Sequence, residues 1–575
     1  MSAQFKIKAA DPASVVRLER ELGLPRFIAA TLVARGIDNP AAVHRFLAPS
    51  LERDWLDPYI IPGLSDVADA LEAAVKRGDH ILVFGDFDLD GISATTVLTR
   101  GLRALGAQAT PFIPLRFEEG YALSQAAITR ACSFGPDFIV TVDCGIACKA
   151  EAAAVVEAGL GLAITDHHEP VDLVPEGVPV ADPKCDANCP SSILAGVGVA
   201  LKLVQVLGGR LGQPHLWRDF TDFATLGTVA DLMPMRDENR ALVSDGIARM
   251  NAAPRPCIAA LLATSGAADK PVSATNLSFS VIPRLNAAGR MGDAQLALDL
   301  LMTDDFEEAN RLATKLESVN DQRRAIEAEL SEIAKAQAAE IYHGQRALVV
   351  SGESWHEGVK GIVASRLVNT YGVPSLLFTI DGDEARGSGR SVGQVSLFSA
   401  VESASDLLTR FGGHDAAVGV TLPADKLPEF ERRLCAYMDA LPEGAFHPLV
   451  EIDSCVSLDE LTLDNVAQLD KLAPFGQEHP VPVYLARDVM LANCRAVGAG
   501  KNHFSCSLSD GRATVSGIMF HCSDIESLMR TDSVVNAAFE VQIDEWRGRK
   551  SVKAMLQSLA PARTCGALEA CLNPE

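Results

Sequence analysis

Apolar residues recur at helical spacing through the first fifty positions. Leu22, Phe27, Ile28, Leu32 and Val33 share one face, which predicts small helices there. From about 64 to 235 the pattern changes to short apolar runs (81–84, 138–142, 161–165) alternating with Ala-rich stretches (66–77, 91–105, 147–158). That alternation predicts an α/β unit on a mostly parallel sheet, with its site at the C-terminal ends of the strands. Residues 304–341 contain neither Gly nor Pro and are rich in Ala, Glu, Leu and Arg. They predict one long helix, or two joined ones, connecting two lobes. A second α/β unit runs from ALVVSG at 347–352 to about 440. Beyond 450, alternating segments such as HFSCSLSDGRATVSGIMF (503–520), with Asp510-Gly511 as a hairpin signal, predict a small β-barrel.

Length and composition sharpen this picture only in places. The 575 residues suggest about three or four domains. No apolar stretch reaches the ~20 residues of a membrane span, and the first residues lack a signal-type apolar core. Thirteen scattered cysteines, an odd number, read as free thiols in a reducing cytoplasm. CDANC (185–189) lacks a partner pair at metal-ligand spacing, so its cysteines read as structural. The net charge of −24 argues mildly against a nucleic-acid partner, although a basic channel can coexist with an acidic exterior.

The chemistry starts at LVFGDFDLDGI (82–92), where Asp86, Asp88 and Asp90 crowd three like charges into five residues. Such a cluster calls for a cation. D-x-D-x-D-G opens a calcium loop, but that motif needs Glu at its twelfth position, and here Val97 stands there. Three more clusters follow apolar runs: Asp143 in TVDCG, Asp166, His167 and His168 in AITDHHEP, and Asp231 in GTVADLMP. Each is read as lying at a strand end. One such Asp alone is most often a helix N-cap; four clusters in one α/β unit point to a shared site. Carboxylates with imidazole, and almost no thiolate, suit Mn²⁺ and tolerate Mg²⁺. There are ligands enough for two ions, which together activate water and stabilise the leaving oxygen of a phosphoester.

DFDLDG, VDCG, TDHH and GTVADLMP, in this order, resemble the motifs of the DHH phosphoesterase superfamily, and within it the single-strand-specific 5′→3′ exonucleases of bacteria. RFEEGYALS (116–124), LAGVGVALKLV (194–204), ENRALVSDGIARM (238–250), IPRLNAAGRMGDA (282–294), WHEGVKGIVASRL (355–367), GSGRS (387–391) and FGGHDAAVGVTL (411–422) extend the likeness from about residue 20 to 560. The resemblance implies a multidomain α/β chain: an N-terminal helical segment (1–50), a parallel-sheet DHH catalytic domain (51–300), a connecting helix (301–345), a DHHA1 substrate-binding domain (346–440), an OB-like barrel (441–562) and a tail (563–575).

It further implies that Asp86, Asp88, Asp90, Asp143, His167 and Asp231 hold two Mn²⁺ or Mg²⁺ ions. Asp166 and His168 would orient His167 or polarise the scissile phosphate. Arg116, Ser388 and Arg390 match positions used for a 5′ phosphate, and His414 for the phosphate of the reacting nucleotide. Arg284, Asn286 and Arg290 are further backbone contacts, in a groove that would admit a single strand. In the barrel, His503, Phe504, Trp546 and Arg547 are stacking or charge contacts. The sequence departs from the family at Phe84, where some relatives carry an extra His, and at Glu478-His479, where relatives often carry Gly-Asn.

The expected activity is release of 5′ mononucleotides from single-stranded DNA, in recombination and repair. The enzyme is expected to be a cytoplasmic monomer, off the membrane, working beside a helicase and a single-strand-binding protein. The alternatives are a small-substrate phosphodiesterase or pyrophosphatase of the superfamily, and a non-catalytic replication scaffold.

Overall fold

The computed structural model describes residues 4–498, 500–522, 525–529 and 534–562. The expected tail at 563–575 lies outside them. The chain forms two compact units: residues 49–324 with 474–480, and the described parts of 1–48, 325–473 and 481–575. Among the described residues no helix is long and apolar enough to cross a membrane.

The first unit is built on β2 (His80–Phe84), β3 (Gln108–Phe112), β4 (Phe138–Thr141), β5 (Gly161–Thr165) and β6 (Val180–Ala181), in the order β3-β2-β4-β5-β6 and parallel throughout. The apolar runs are continuous because both sheet faces are covered. Ile81 and Val83 enter one core and Leu82 and Phe84 the other. Strand order reverses beside β2, so the loops after β2 and β4 open onto the crevice where such sheets hold ligands. Helices α1 (Leu64–Arg77), α2 (Leu89–Ala104) and α3 (Lys149–Glu157) fall where the sequence pattern put them.

The reading of Asp231 as a strand-end residue is corrected. TDFATLGTVA forms helix α5 (Thr221–Ala230), and Asp231 caps its C-terminus. This helix is apolar nearly all round because it is buried nearly all round, and a short run of that kind has no readable period. Helices α4 (Gly196–Arg210) and α6 (Asp237–Ala252) flank it in sequence.

In the core beneath, Lys202 and Glu238 are both fully buried and pair at 2.8 Å. Lys202 also donates to the Leu56 carbonyl, and Ser191 donates to Glu238. Lys202→Met leaves the Glu238 carboxylate buried without its cation and is expected to cost about 3–5 kcal/mol in urea unfolding. Lys202→Met/Glu238→Gln should recover much of that loss. Equal losses in the single and double variants would refute this account.

The seven-residue segment Pro474–Pro480 docks beside Asp231. Gln477 accepts from the Met235 amide at 2.8 Å, Arg240 donates to the Pro474 carbonyl, and Arg236 pairs with Glu478. Glu478 has φ +59°, the left-handed region that glycine enters without strain.

The second unit holds a mixed sheet in the order β10-β11-β9-β8-β7, from β7 (Leu348–Glu353), β8 (Ser375–Asp381), β9 (Glu384–Arg390), β10 (Arg410–His414) and β11 (Ala417–Pro423). The N-terminal segment is not purely helical. β1 (Gln4–Ile7) pairs in parallel with β12 (Leu449–Ile452), and Arg35 pairs with the buried Asp453 at 2.9 Å. Four residues are too few for a readable alternation.

The expected barrel is present. Two-residue β13 (Ser454–Cys455) pairs with β14 (Tyr484–Val497). With β15 (His503–Ser509), β16 (Thr514–Met519), β17 (Val535–Trp546) and β18 (Arg549–Pro561), β14 closes the ring β14-β15-β16-β18-β17-β14. Only β16–β18 is parallel among these ring pairs. The Asp510-Gly511 signal marks a four-residue turn in which Asp510 accepts from the Arg512 and Ala513 amides. One 36-residue helix, α8 (Phe306–Ile341), begins in one unit and ends in the other.

Candidate metal centre

The first unit gathers all six expected ligands at one end of its sheet. Asp88 caps α2 by accepting from the Gly91 amide at 3.0 Å, so it is an N-cap and a member of the cluster at once. Asp90, buried in the first turn of α2, accepts from the Gly196 and Val197 amides at 2.6 and 3.0 Å, which aims the N-terminus of α4 at its charge. Asp143 follows β4 at φ +61°. Nε2 of His167 lies 3.1 Å from Asp143 Oδ1 and 3.7 Å from both Asp90 Oδ2 and Asp231 Oδ2.

Ligand atoms fall into overlapping triads: Asp86, Asp88 and Asp143; Asp90, His167 and Asp231; Asp143, His167 and His168. Two carboxylate-rich positions thus meet at Asp143 and His167. Asp166 accepts from the amides of Ile146, His167 and His168 and from His168 Nδ1, which leaves His168 Nε2 pointing away from that carboxylate.

Burial, then repulsion from Asp88, pushes the Asp86 carboxyl up to about 8 and that of Asp231 up to about 6. Burial and neighbouring carboxylates raise Asp90 and Asp143 well above the ordinary range. Burial holds His167 down near 3, so its imidazole is neutral with a lone pair to offer. Burial also works against the His168 cation, but the hydrogen bond and charge of Asp166 override it and raise His168 to about 9.

Asp86 Oδ1 and Asp143 Oδ1 are buried without a hydrogen-bond donor. Orphaned hard oxygens, mutual repulsion and a neutral imidazole together fit a divalent cation of the Mn²⁺ or Mg²⁺ kind.

A pH dependence follows from these shifts. A carboxyl raised in the fold keeps a proton that the unfolded chain has released, so metal-free stability falls as pH rises from about 4 to about 8. A bound ion favours the ionised forms. The melting temperature in EDTA is therefore expected to drop across this window while the gain on adding Mn²⁺ grows. A gain that shrank with rising pH would contradict this assignment of charge.

Sequence reasoning missed the glycines that let the carboxylates nest. A Cβ on Gly196 would lie 2.5 Å from Asp143, on Gly227 2.6 Å from Asp90 Oδ1, and on Gly91 2.6 Å from the Asp86 amide. Their signal was present in LAGVG and LGTVAD as glycines inside apolar helical runs, where they otherwise weaken a helix.

The expected DNA contacts fall in several places. The Arg116 guanidinium sits 4.7 Å over the Phe87 ring, next to the aspartate loop. Asn286 and Arg290 lie on α7 (Ile282–Arg290), whose Gly289 abuts the Phe87 carbonyl. Arg284 is corrected to a structural residue: it is 9% exposed, pairs with Glu317 and donates to the Ser280 carbonyl.

In the second unit the register aligns His414 on β10, Ala417 on β11 and Arg390 on β9 in one cross-strand row. Arg390 donates to the Gly389 carbonyl, and its half-buried guanidinium stands with Ser388 against Gly361, where a Cβ would meet Arg390 at 2.6 Å. Gly361 lies in the first turn of α9 (Lys360–Tyr371). In the barrel, Phe504 is corrected to a core residue, fully buried by strand alternation, while His503 beside it is not buried. Trp546 is 73% exposed at the tip of the β17–β18 hairpin, with Arg547 at φ +52° in its two-residue turn.

Three family models match the chain: the DHH family N-terminal domain over 80–228, the DHHA1 domain over 344–440 and the RecJ OB domain over 452–558. The single-stranded-DNA-specific exonuclease RecJ of Bacillus subtilis is 33% identical over 97% of this chain and 71% of its own length. That of Escherichia coli is 30% identical over 98% of this chain and 100% of its own length. The crystal structure of RecJ in complex with Mn²⁺ from Thermus thermophilus matches with a TM-score of 0.81 at 29% identity, over 97% of this chain and 79% of that one. A second structure of the Thermus protein, in complex with Mg²⁺, matches at 0.77. With its motifs, three domains and full-length relatives in agreement, the chain belongs to the RecJ family.

Proposed function

We propose that this chain is a metal-dependent exonuclease that degrades single-stranded DNA from the 5′ end and releases 5′ mononucleotides. The observation that carries the reading is the pair of carboxylate-rich triads, one with Asp143 and one with His167, which the 3.1 Å approach of these two residues joins, in a chain of a family whose members are named as single-stranded-DNA-specific exonucleases. Asp86, Asp88, Asp90, Asp143, His167 and Asp231 hold two Mn²⁺ or Mg²⁺ ions. When bound, these supply an acidified water and neutralise charge on the scissile phosphate.

Asp166 fixes the His168 ring, and the cationic His168 directs Nε2 to a phosphoryl oxygen or the departing 3′ oxygen. Arg390 and Ser388 bind the 5′ phosphate through charge-assisted bonds, and His414, in the same row as Arg390, binds the phosphate of the reacting nucleotide. Arg116 and Arg290 contact the backbone, and Trp546 stacks a base further along. A cytoplasmic monomer assisted by a helicase and a single-strand-binding protein in recombination and repair completes the reading.

The test compares one single-stranded oligonucleotide labelled at its 5′ end, the same strand labelled at its 3′ end, and a blunt duplex, each in Mn²⁺, Mg²⁺ or EDTA. Immediate release of labelled mononucleotide from the 5′ end alone, with the duplex and the EDTA samples intact, is expected. Cleavage of dinucleotides or pyrophosphate with long strands resistant would replace this reading by the small-substrate one. Binding without cleavage in either metal would mark a scaffold.

A further inference from the structure

A cleft of about 650 Å³ opens in the first unit away from the metal centre. Its walls carry Arg100, Arg103, Arg249 and Arg255, against Asp219, Asp222 and Asp304. Arg100 and Arg103 sit on the last turns of α2, whose first turn carries Asp90. Thirteen residues at helical rise put Arg103 about 20 Å from that ligand along the axis. The cleft is therefore separate from the metal-binding cluster.

In a chain of net charge −24, four guanidinium groups facing three carboxylates make a local cationic island. The pairing within it is uneven. Arg255 is bound to the buried Asp222 at 2.7 Å and forms fixed wall. Arg100, largely buried and donating to the Leu301 carbonyl, turns its outer end to Asp304 at 3.0 Å, and Arg249 reaches Asp219 at 3.7 Å; both aspartates are largely exposed. The Arg249–Asp219 pair is of the solvent-facing kind that holds only weakly, so an entering anion displaces it readily. Arg103 donates Nε to the Ala109 carbonyl and, among the described residues, pairs with no carboxylate. Burial, then the adjacent Arg100 charge, lowers its guanidinium pKa, a repulsion an anion would relieve. The remaining wall is apolar: Leu216, Phe220 and Met302 with two alanines.

We infer that this cleft binds a nucleoside phosphate, with Arg100, Arg103 and Arg249 on the phosphates and the nucleoside against Leu216, Phe220 and Met302. Three guanidinium groups match a phosphate chain in charge and in bidentate geometry. The volume lies in the range of small-molecule sites, and charged groups beside an apolar wall select a ligand that is half anion and half ring.

The full-length chain in EDTA, which strips the metal centre of any divalent cation, is dialysed against radiolabelled thymidine 5′-triphosphate or 5′-monophosphate, with inorganic pyrophosphate as competitor. Saturable 1:1 binding is expected, tighter for the triphosphate. Arg103→Glu and Arg249→Ala should each weaken it at least ~10-fold, the loss of one charged hydrogen-bond partner. Arg390→Ala should leave it intact, and both cleft variants should keep exonuclease activity. Arg103 is an exposed residue whose guanidinium is only partly covered, so its exchange does not threaten folding.

Absence of binding would overturn the inference. So would binding that survives both cleft variants, or that is lost in Arg390→Ala and therefore belongs to the 5′-phosphate site. Pyrophosphate binding as tightly as the triphosphate would overturn the nucleoside half of it.

Discussion

Asp143→Asn is expected to lower 5′→3′ exonuclease activity by at least ~10³-fold, because it removes a carboxylate common to two of the ligand triads and with it several kcal/mol of charge stabilisation. Asn is the informative exchange. It keeps the volume, and it tolerates the φ of +61° that Asp143 adopts, where a bulkier or β-branched residue would strain the loop. A second readout separates chemistry from folding. The native carboxyl is buried and repelled by Asp90 and Asp88, so in EDTA the variant should melt at a higher temperature than the native chain. On adding Mn²⁺ the order should reverse. A variant that keeps its metal-induced gain and its rate would remove Asp143 from the centre; one that melts lower in EDTA as well would point to a structural role.

Arg390→Ala is expected to reduce kcat/KM on 5′-phosphorylated single strands by ~10–100-fold, the worth of charge-assisted bonds to one phosphate. On the same strand with a 5′ hydroxyl the loss should be small. The reason lies in the sheet: β9 and β11 set Arg390 in one row with His414, and Gly361 clears room for the guanidinium. The difference between the two substrates is the decisive quantity. Equal losses on both would make Arg390 a packing residue of the second unit, and Arg390→Lys, which keeps charge without the fork, should recover only part of the selectivity.

How much of this was legible in the sequence depended on what each position had to satisfy. Asp86, Asp88, Asp90, Asp143 and His167 could be read because strands buried on both faces give long apolar runs, and the charged residue that ends such a run stands out. Asp231 was found by the same rule but placed on the wrong element, since a fully buried helix of ten residues writes the same apolar run as a strand. Phe504 and His503 are neighbours with opposite fates, and only knowing which barrel face points inward tells them apart. Arg284 looked like a DNA contact because composition cannot see Glu317, thirty-three residues away and on the long helix. The nesting glycines Gly91, Gly196 and Gly227 matter through distances of closest approach, and a glycine inside an apolar run marks such a position without saying which carboxylate it clears.

Pro474–Pro480 belongs to the catalytic unit in space but is encoded inside the OB segment. Modularity along the gene is thus not modularity of the protein. A crossover that swaps the barrel between family members also swaps the clasp on the loop that follows Asp231. A catalytic fragment cut after the long helix would leave the buried Met235 without its acceptor at Gln477. The barrel and the metal centre therefore inherit substitutions as a pair, and a hybrid chain works only when the heptad and the Asp231 loop come from the same parent.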